Sequence, residues 1–365
     1  MSNLGTIAFG VRTPIIRQGD LLENIVVESV KNAITEIGIK PHNGDIVAIT
    51  ESIVARAQGN YVTTDEIANE TRRLFGNDAT ITVAYPIYSR NRFAICLRGI
   101  ARAAKKIILI MPATDEVGNP GWSVHPFTNC IYSNYYQEIC EQENAEVEVY
   151  NTLNNIEGNI LVASIHSRDE VVKIIKATKT AEPVNVHTLC DYFPEKCEYG
   201  LLGSNKADEN RVKLFPNARK ARQLIYRIQE RLDYCLGVNV EVLIYGDGAF
   251  KSPYYKGISI WELADPVVSP AYTAGLEGMP NELKLKYLAD AEFNDLVGQE
   301  LEDKIKERIA KKTSESLIGD MSNEGCTPRF KNVLFGSCAD LLTGSGDRGT
   351  PIVYFHDPEK NYSQD

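Results

Sequence analysis

Nowhere does the chain approach the roughly 18 consecutive apolar residues of a membrane span, and Met1-Ser2-Asn3-Leu4-Gly5 lacks the basic and apolar segments of a secretory leader. A cytoplasmic protein without a membrane partner is therefore expected. Close-spaced C-x-x-C pairs are missing as well. The eight cysteines, Cys96, Cys130, Cys140, Cys190, Cys197, Cys235, Cys326 and Cys338, are scattered in a way that fits reduced thiols rather than a disulfide framework. His187, Cys190 and Cys197 lack the second close pair that a structural zinc site requires. Histidine is scarce, with five in the chain, and no Ser-His-Asp or Cys-His order supports a hydrolase; His166 and His187 read as structural. There is no basic excess either: 39 basic against 49 acidic residues leave a net charge of −10. That balance argues against nucleic acid or an anionic membrane as the main partner, so an anionic ligand must be met by locally clustered Arg and Lys.

What is present is enough hydrophobic residue, 43% of 365, for a large core and an enzyme-sized protein of two or three closely interleaved domains. Thr6 to Val11 reads as a strand, and Pro14 to Asp20 as a loop whose Asp20 caps a helix from Leu21 to about Ile37. The Asn43-Gly44-Asp45 turn precedes a buried strand from Ile46 to Thr50, and Glu51 to Gly59 reads as a loop. Between about Asp65 and Val149 helix and strand alternate, with a strand at Lys106 to Met111, a Gly/Pro/Asp-rich stretch from Pro112 to Pro126, and a helix at Tyr132 to Gln142. A strand-rich block starts near Ile160. Ala218, Ala221, Leu224, Ile225, Ile228 and Leu232 mark an amphipathic helix ending at Gly237, and Val238 to Tyr245 is a strand. Glu282 to Lys312 is charged and helical, with Leu301, Ile305 and Ile309 on one stripe. A further helix from about Pro328 to Leu342 leads to a strand at Ile352 to Phe355.

Two segments carry chemistry. Gly344, Gly346 and Gly349 have G-x-G-x-x-G spacing, which suits a backbone that approaches phosphate oxygens, although a plain turn also satisfies it. A dinucleotide fingerprint follows a strand and opens a helix; here a helix comes first and Pro351 blocks one afterwards, which argues against that reading. Asp247 sits between two glycines at a strand end, placed either to offer a carboxylate to a divalent metal or to form a β-turn. The Gly246 to Ser252 segment lacks P-loop spacing. Arg12, Arg17, Arg56 and Arg348 each lie beside a Gly, a Pro or a strand end, from where they can converge as a clamp on phosphate or carboxylate.

Three groups of residues together resemble the coenzyme F-420 gamma-glutamyl ligase family. Pro14-Ile15-Ile16-Arg17-Gln18-Gly19-Asp20, Gly44-Asp45-Ile46-Val47 and Ile53-Val54-Ala55-Arg56-Ala57-Gln58-Gly59 are similar to its P-L-I-K-x-G-D, G-D-V-L and V-x-S-K-A-E-G, with Arg56 replacing Lys. Gly203 to Asp208, Leu214-Phe215-Pro216 and Asp247 are similar to G-I-D-A-S-N, L-L-P and T-D-T. Leu341 to Pro351 is similar to L-L-M-G-E-G-x-D-G-x-P.

The resemblance implies an α+β fold of two interleaved domains with mixed sheets and a large insertion. Residues 1–64 and 196–365 would form the ligase-like core, and 65–195 an enlarged, poorly matching α/β region. It also implies a homodimer and a GTP- or ATP-dependent ligase that uses Mg²⁺ or Mn²⁺ to join L-glutamate to a carboxylate acceptor, a deazaflavin or a folate. By resemblance the nucleotide would contact Pro14, Ile15, Ser52, Arg56, Asp208, Gly344, Ser345, Gly346, Asp347, Arg348, Gly349 and Thr350. Asp247, Arg56 and Arg348 would carry the chemistry, with metal on Asp247, Asn205 and Asp208. Asn205 and Ser345 stand where the family has carboxylates, so a nucleotide-binding protein without ligase activity is the alternative.

Overall fold

A computed structural model describes residues 5–87, 93–111, 128–164, 168–177, 185–247, 267–278, 285–311, 330–343 and 349–358. From the N-terminus run β1 (Ile7–Val11), α1 (Leu22–Ile37), β2 (Asp45–Thr50), α2 (Glu51–Gln58), β3 (Tyr61–Thr63) and α3 (Thr64–Phe75). The middle of the chain forms β4 (Ala79–Ala84), α4 (Phe93–Ala103), β5 (Ala104–Ile110), α5 (Tyr132–Gln142), β6 (Glu146–Tyr150), β7 (Asn159–Val162), α6 (Arg168–Ala177) and β8 (Val186–Thr188). Then come β9 (Ser204–Asp208), β10 (Arg211–Leu214), α7 (Ala218–Leu236), β11 (Val240–Asp247) and β12 (Val267–Tyr272). The short α8 (Leu285–Tyr287), α9 (Gly298–Ala310), α10 (Lys331–Thr343) and β13 (Ile352–His356) complete the chain.

The described strands form three sheets, in an α+β fold. A mixed sheet has the order β1-β13-β2-β11-β12, a small antiparallel sheet β3-β10-β9, and a third sheet β6-β5-β4-β7-β8. All pairs of the third sheet are parallel, and it lies wholly within the segment 65–195. In the mixed sheet only β2 and β11 run parallel, in register from Val240 opposite Asp45 to Tyr245 opposite Thr50.

β2 is apolar from Ile46 to Ile49 because both faces of its sheet are covered. Successive side chains alternate between faces, so Val47 and Ile49 join α1 and α7 in one core while Ile46 and Ala48 meet Phe335 and Ala339 of α10 in another. The parallel sheet follows the same rule. Ile107 and Leu109 pack with α3, α4 and α5, whereas Ile108 and Ile110 face Leu153 and Val162.

Two local expectations need correction. Glu51 to Gln58 is a helix rather than a loop: the Thr50 side chain accepts from the Ser52 N–H, and Gly59 ends the helix in the left-handed region at φ 66. Asp20 does not cap α1. Its carboxylate instead accepts the Arg17 N–H at 2.7 Å and closes its own loop, leaving Leu21 at the cap position without a side-chain bond. The strand-rich block after Ile160 holds β7, β8, β9 and β10, with α6 between β7 and β8.

Candidate active site

β2 and β11 finish side by side, and the residues just beyond their ends are forced together. A Cβ on Gly246 would lie 2.3 Å from Glu51 Cγ, so β11 can pass this carboxylate only as glycine. Glu51, the first residue of α2, is 4% exposed. Its Oε1 lies 3.5 Å from both Asn205 Nδ2 and Lys213 Nζ, and Lys213 also donates to Ser52 Oγ at 2.6 Å. The small sheet delivers these two partners together, because Lys213 on β10 stands opposite Asn205 on β9. Val212 and Leu214 on either side of Lys213 turn into the hydrophobic core, so the two-residue alternation leaves Lys213 facing α2.

Burial pushes the pKa of Lys213 down. Glu51 opposes that shift, and the charge on Arg56 adds to it. The Glu51–Lys213 pair is thus a buried ion pair, in which removal of one charge strands the other.

The Pro14–Asp20 loop docks on α2 through the Gly19 N–H bond to Ala57 O at 2.9 Å. Gln18 closes the contact: its amide end lies 2.5 Å from where a Cβ on Gly59 would sit, and the positive φ of 66 is what favours glycine at this position. Helix α2 therefore holds the first recognisable loop on one side and presents Glu51, Ser52 and Arg56 on the other.

The Gly-rich loop is anchored to the same place. At its start, the Tyr245 hydroxyl bonds to Thr343 Oγ1 at 3.1 Å, one residue before Gly246. At its end, the Thr50 N–H donates to Pro351 O at 3.0 Å, one residue before Glu51. Thr350 packs so closely on β1 that a Cβ at Gly10 would approach its own Cβ to 3.2 Å, and Gly349 takes a positive φ of 62. Gly344, Ser345, Gly346, Asp347 and Arg348 lie outside the described residues, as do Pro112 to Pro126 and His166. Asp247 closes β11 opposite Val267, and its side chain lies outside those described.

Ser52, Arg56 and Asn205 are thus gathered around Glu51 and Lys213, with Thr350 at the end of the loop. Pro14 and Ile15 are exposed on the docked loop, Ile15 to 80%. Asp208 occupies the β9–β10 turn, where the Asn210 N–H at 2.9 Å and Arg211 at 2.6 Å hold its carboxyl below the usual range. Reading the sequence missed Glu51 and Lys213. Their signals were a charge directly after the apolar run of β2 and a lysine between two core residues of β10.

His187 is a structural histidine, 3.2 Å from Asp191 and edge-on to Phe75. Burial raises the neighbouring thiols of Cys190 and Cys197 to about 11.

The F420-0:Gamma-glutamyl ligase family matches residues 10–357, from the end of β1 through the glycine-rich loop to just beyond β13. The chain belongs to this family. The match to the gamma-glutamyl ligases runs through the central segment 65–195 as well. A 55-residue stretch is 38% identical to the uncharacterised protein MJ1361 of Methanocaldococcus jannaschii, covering 15% of this chain and 18% of that protein. Among the described residues, no helix is long and apolar enough to cross a membrane.

Proposed function

We propose that the chain is a nucleotide-dependent amide ligase that joins L-glutamate to a carboxylate acceptor. The observation that carries this reading is the meeting, beyond the carboxyl ends of parallel β2 and β11, of the Glu51–Lys213–Ser52–Asn205 cluster with both anchors of the glycine-rich loop. Open α/β sheets bind ligands outside such strand ends, and the family is one of gamma-glutamyl ligases.

In the reaction, the γ-phosphoryl group of GTP or ATP passes to an acceptor carboxylate oxygen and the nucleoside diphosphate leaves. The α-amine of glutamate then attacks the acyl carbon. Phosphate departs, the amine loses its proton, and an amide remains. Main-chain N–H groups around Gly349 and Thr350 hold phosphate oxygens, while Arg56 and Arg348 offset the charge that develops on them. Lys213 holds the Ser52 hydroxyl and sets its ammonium beside the Glu51 carboxyl.

The donor chemistry here fits Mg²⁺ or Mn²⁺, because Glu51 brings a hard carboxylate to the edge of Gly246 and Asn205, whose Nδ2 lies 3.5 Å from that carboxylate, carries an amide oxygen on the same side chain. With Asp247 these residues would hold the ion, and the ion would supply further neutralisation of phosphate charge. Lys213 already places one positive charge against Glu51, which lowers the demand for a second ion. The protein is proposed to act as a cytoplasmic homodimer and to prefer GTP, with a deazaflavin precursor or a folate-like pterin-glutamate as acceptor. Neutral Asn205 against Glu51 favours one second reading, a nucleotide-binding protein without turnover.

The test is phosphate release and product mass. Release that requires both glutamate and acceptor, with acceptor mass raised by one glutamyl unit, supports the ligase. Tight nucleotide binding with no acceptor extended, and turnover gained only in Asn205→Asp with Ser345→Glu, supports the binder.

A further inference from the structure

We propose a second, separate metal site at the other end of β2, where His42, His356 and Asp357 bind a divalent transition ion of the zinc class. Glu51 follows the last residue of β2, whereas Asp45 is its first, so at about 3.3 Å per residue the two places are roughly 20 Å apart. Antiparallel β13 matches this polarity: Ile352 lies next to the end of the glycine-rich loop, and His356 ends the strand near Asp45.

One ring nitrogen from each histidine and one Asp357 oxygen all lie within 4.8 Å of one another. His42 Nδ1 is 2.7 Å from Asp357 Oδ1, and His356 Nε2 is 3.6 Å from Asp357 Oδ2. The tautomer of His356 follows from its other nitrogen. Nδ1 lies 3.0 Å from Oδ2 of fully buried Asp45, so it carries the proton and donates it there, which leaves the Nε2 lone pair facing the Asp357 carboxylate.

A carboxylate that fixes a histidine through its far nitrogen is the usual outer partner of a metal-bound imidazole. Asp45 is itself fixed: it also accepts from the Tyr354 hydroxyl at 2.5 Å and from the His42 and Asp357 N–H groups, each at 2.9 Å.

Charge supports the same assignment. Among the described residues the ion pairs of Asp45 and Asp357 are made with these two histidines, and no Lys or Arg joins them. With neutral imidazoles the cluster carries two negative charges, which one divalent ion balances. Two imidazoles and a carboxylate suit zinc-class ions better than Mg²⁺. Tetrahedral ligands lie about 3.4 Å apart. His42 Nδ1 and Asp357 Oδ1, 2.7 Å apart, must therefore open slightly while the longer separations close, and the His42 side chain, 48% exposed, is free to move. A fourth position remains for water, and the bound ion would staple the turn before β2 to the end of β13.

The experiment is calorimetric titration of chelator-treated full-length protein with Zn²⁺ in excess Mg²⁺, alongside the visible absorption of bound Co²⁺. One equivalent should bind, raise Tm and give a tetrahedral Co²⁺ spectrum. His42→Ala, which removes an exposed side chain, should weaken binding at least tenfold, and Asp357→Asn should do the same. His356→Gln should abolish binding, but the exposed position decides if that variant misfolds. No uptake by the wild type, or uptake unchanged in His42→Ala, overturns the proposal; in either case the ligase reading is untouched, because the two sites share no residue.

Discussion

The mixed sheet and the parallel sheet are built under different constraints. β1, β2, β11, β12 and β13 come from both ends of the chain, and the recognisable segments lie on this sheet, dock against it, or, as Gly203 to Asp208 and Leu214 to Pro216 do, belong to the small sheet beside it. The parallel sheet draws on one continuous stretch from β4 to β8 and packs an extensive apolar core; its strands carry none of those segments, although Leu214 and Phe215 enter its core. Where β2 and β11 end, the backbone passes a side chain at a distance only glycine permits, as Gly246 does beside Glu51, and Gly59 holds a positive φ, so residue identity is restricted atom by atom. On the parallel sheet's strands the requirement is apolar volume in the right alternation, which many residue sets meet; close approach restricts identity around them at Gly99 and Gly158, where a Cβ would lie 2.6 Å from Ile67 and 2.4 Å from Thr80 O.

The largest effect expected from this contrast is at the ion pair. Lys213→Met leaves Glu51 buried without its cation and should cost about 3–5 kcal/mol in denaturant unfolding. Adding Glu51→Gln should return much of that, while nucleotide-dependent turnover stays lost in both variants; a double variant no more stable than the single one would break the pairing argument. In the parallel sheet, Leu109→Ala should cost about 2–5 kcal/mol yet leave nucleotide affinity per folded molecule unchanged. A parallel loss of affinity would show that the two sheets are not separate in role.

A smaller effect is expected at the N-terminus of α3, where Thr63 and Glu66 form a reciprocal capping box. Thr63→Ala should cost about 1 kcal/mol. Burial acts to raise the Glu66 pKa, but the Thr63 N–H and hydroxyl and Lys196 outweigh it and leave the group below the ordinary value. The unfolded chain therefore binds its proton first as pH falls. The stability Glu66 contributes is complete above its unfolded pKa and is lost as pH drops through the folded one. Acid titration of Tm in wild type against Thr63→Ala reads this difference, and identical acid limbs would contradict it. The smallest structural effect belongs to Asp247→Asn, which should leave apo Tm within error while removing the metal dependence of nucleotide binding in a thermal-shift assay.

Much of the fold could be read from periodicity. Ala221, Leu224, Ile225, Ile228 and Leu232 are the buried face of α7, and Gly237 ends it in the left-handed region. Helix α5 runs over the expected Tyr132–Gln142. Helix α2 was read as loop because eight residues give barely two turns of pattern, and Ile53-Val54 resembles a strand. The Asp20 cap was misplaced because a carboxylate can accept from its own turn as easily as from a helix. Within the site, Ser52, Arg56 and Asn205 were found through resemblance. Glu51 and Lys213 were not, since neither is distinctive until the small sheet brings Lys213 against α2, a contact that local sequence does not encode.

The nucleotide is proposed to sit beyond β2 and β11, not over the parallel sheet. A crystal structure with a non-hydrolysable GTP analogue and Mn²⁺, using anomalous scattering to place the ion, tests it most directly. The phosphates should lie against the Gly349 and Thr350 N–H groups and Arg56, with Mn²⁺ beside Asp247 and Glu51. Nucleotide bound at the carboxyl ends of β4, β5 and β7, with the Glu51–Lys213 cluster unliganded, would contradict it.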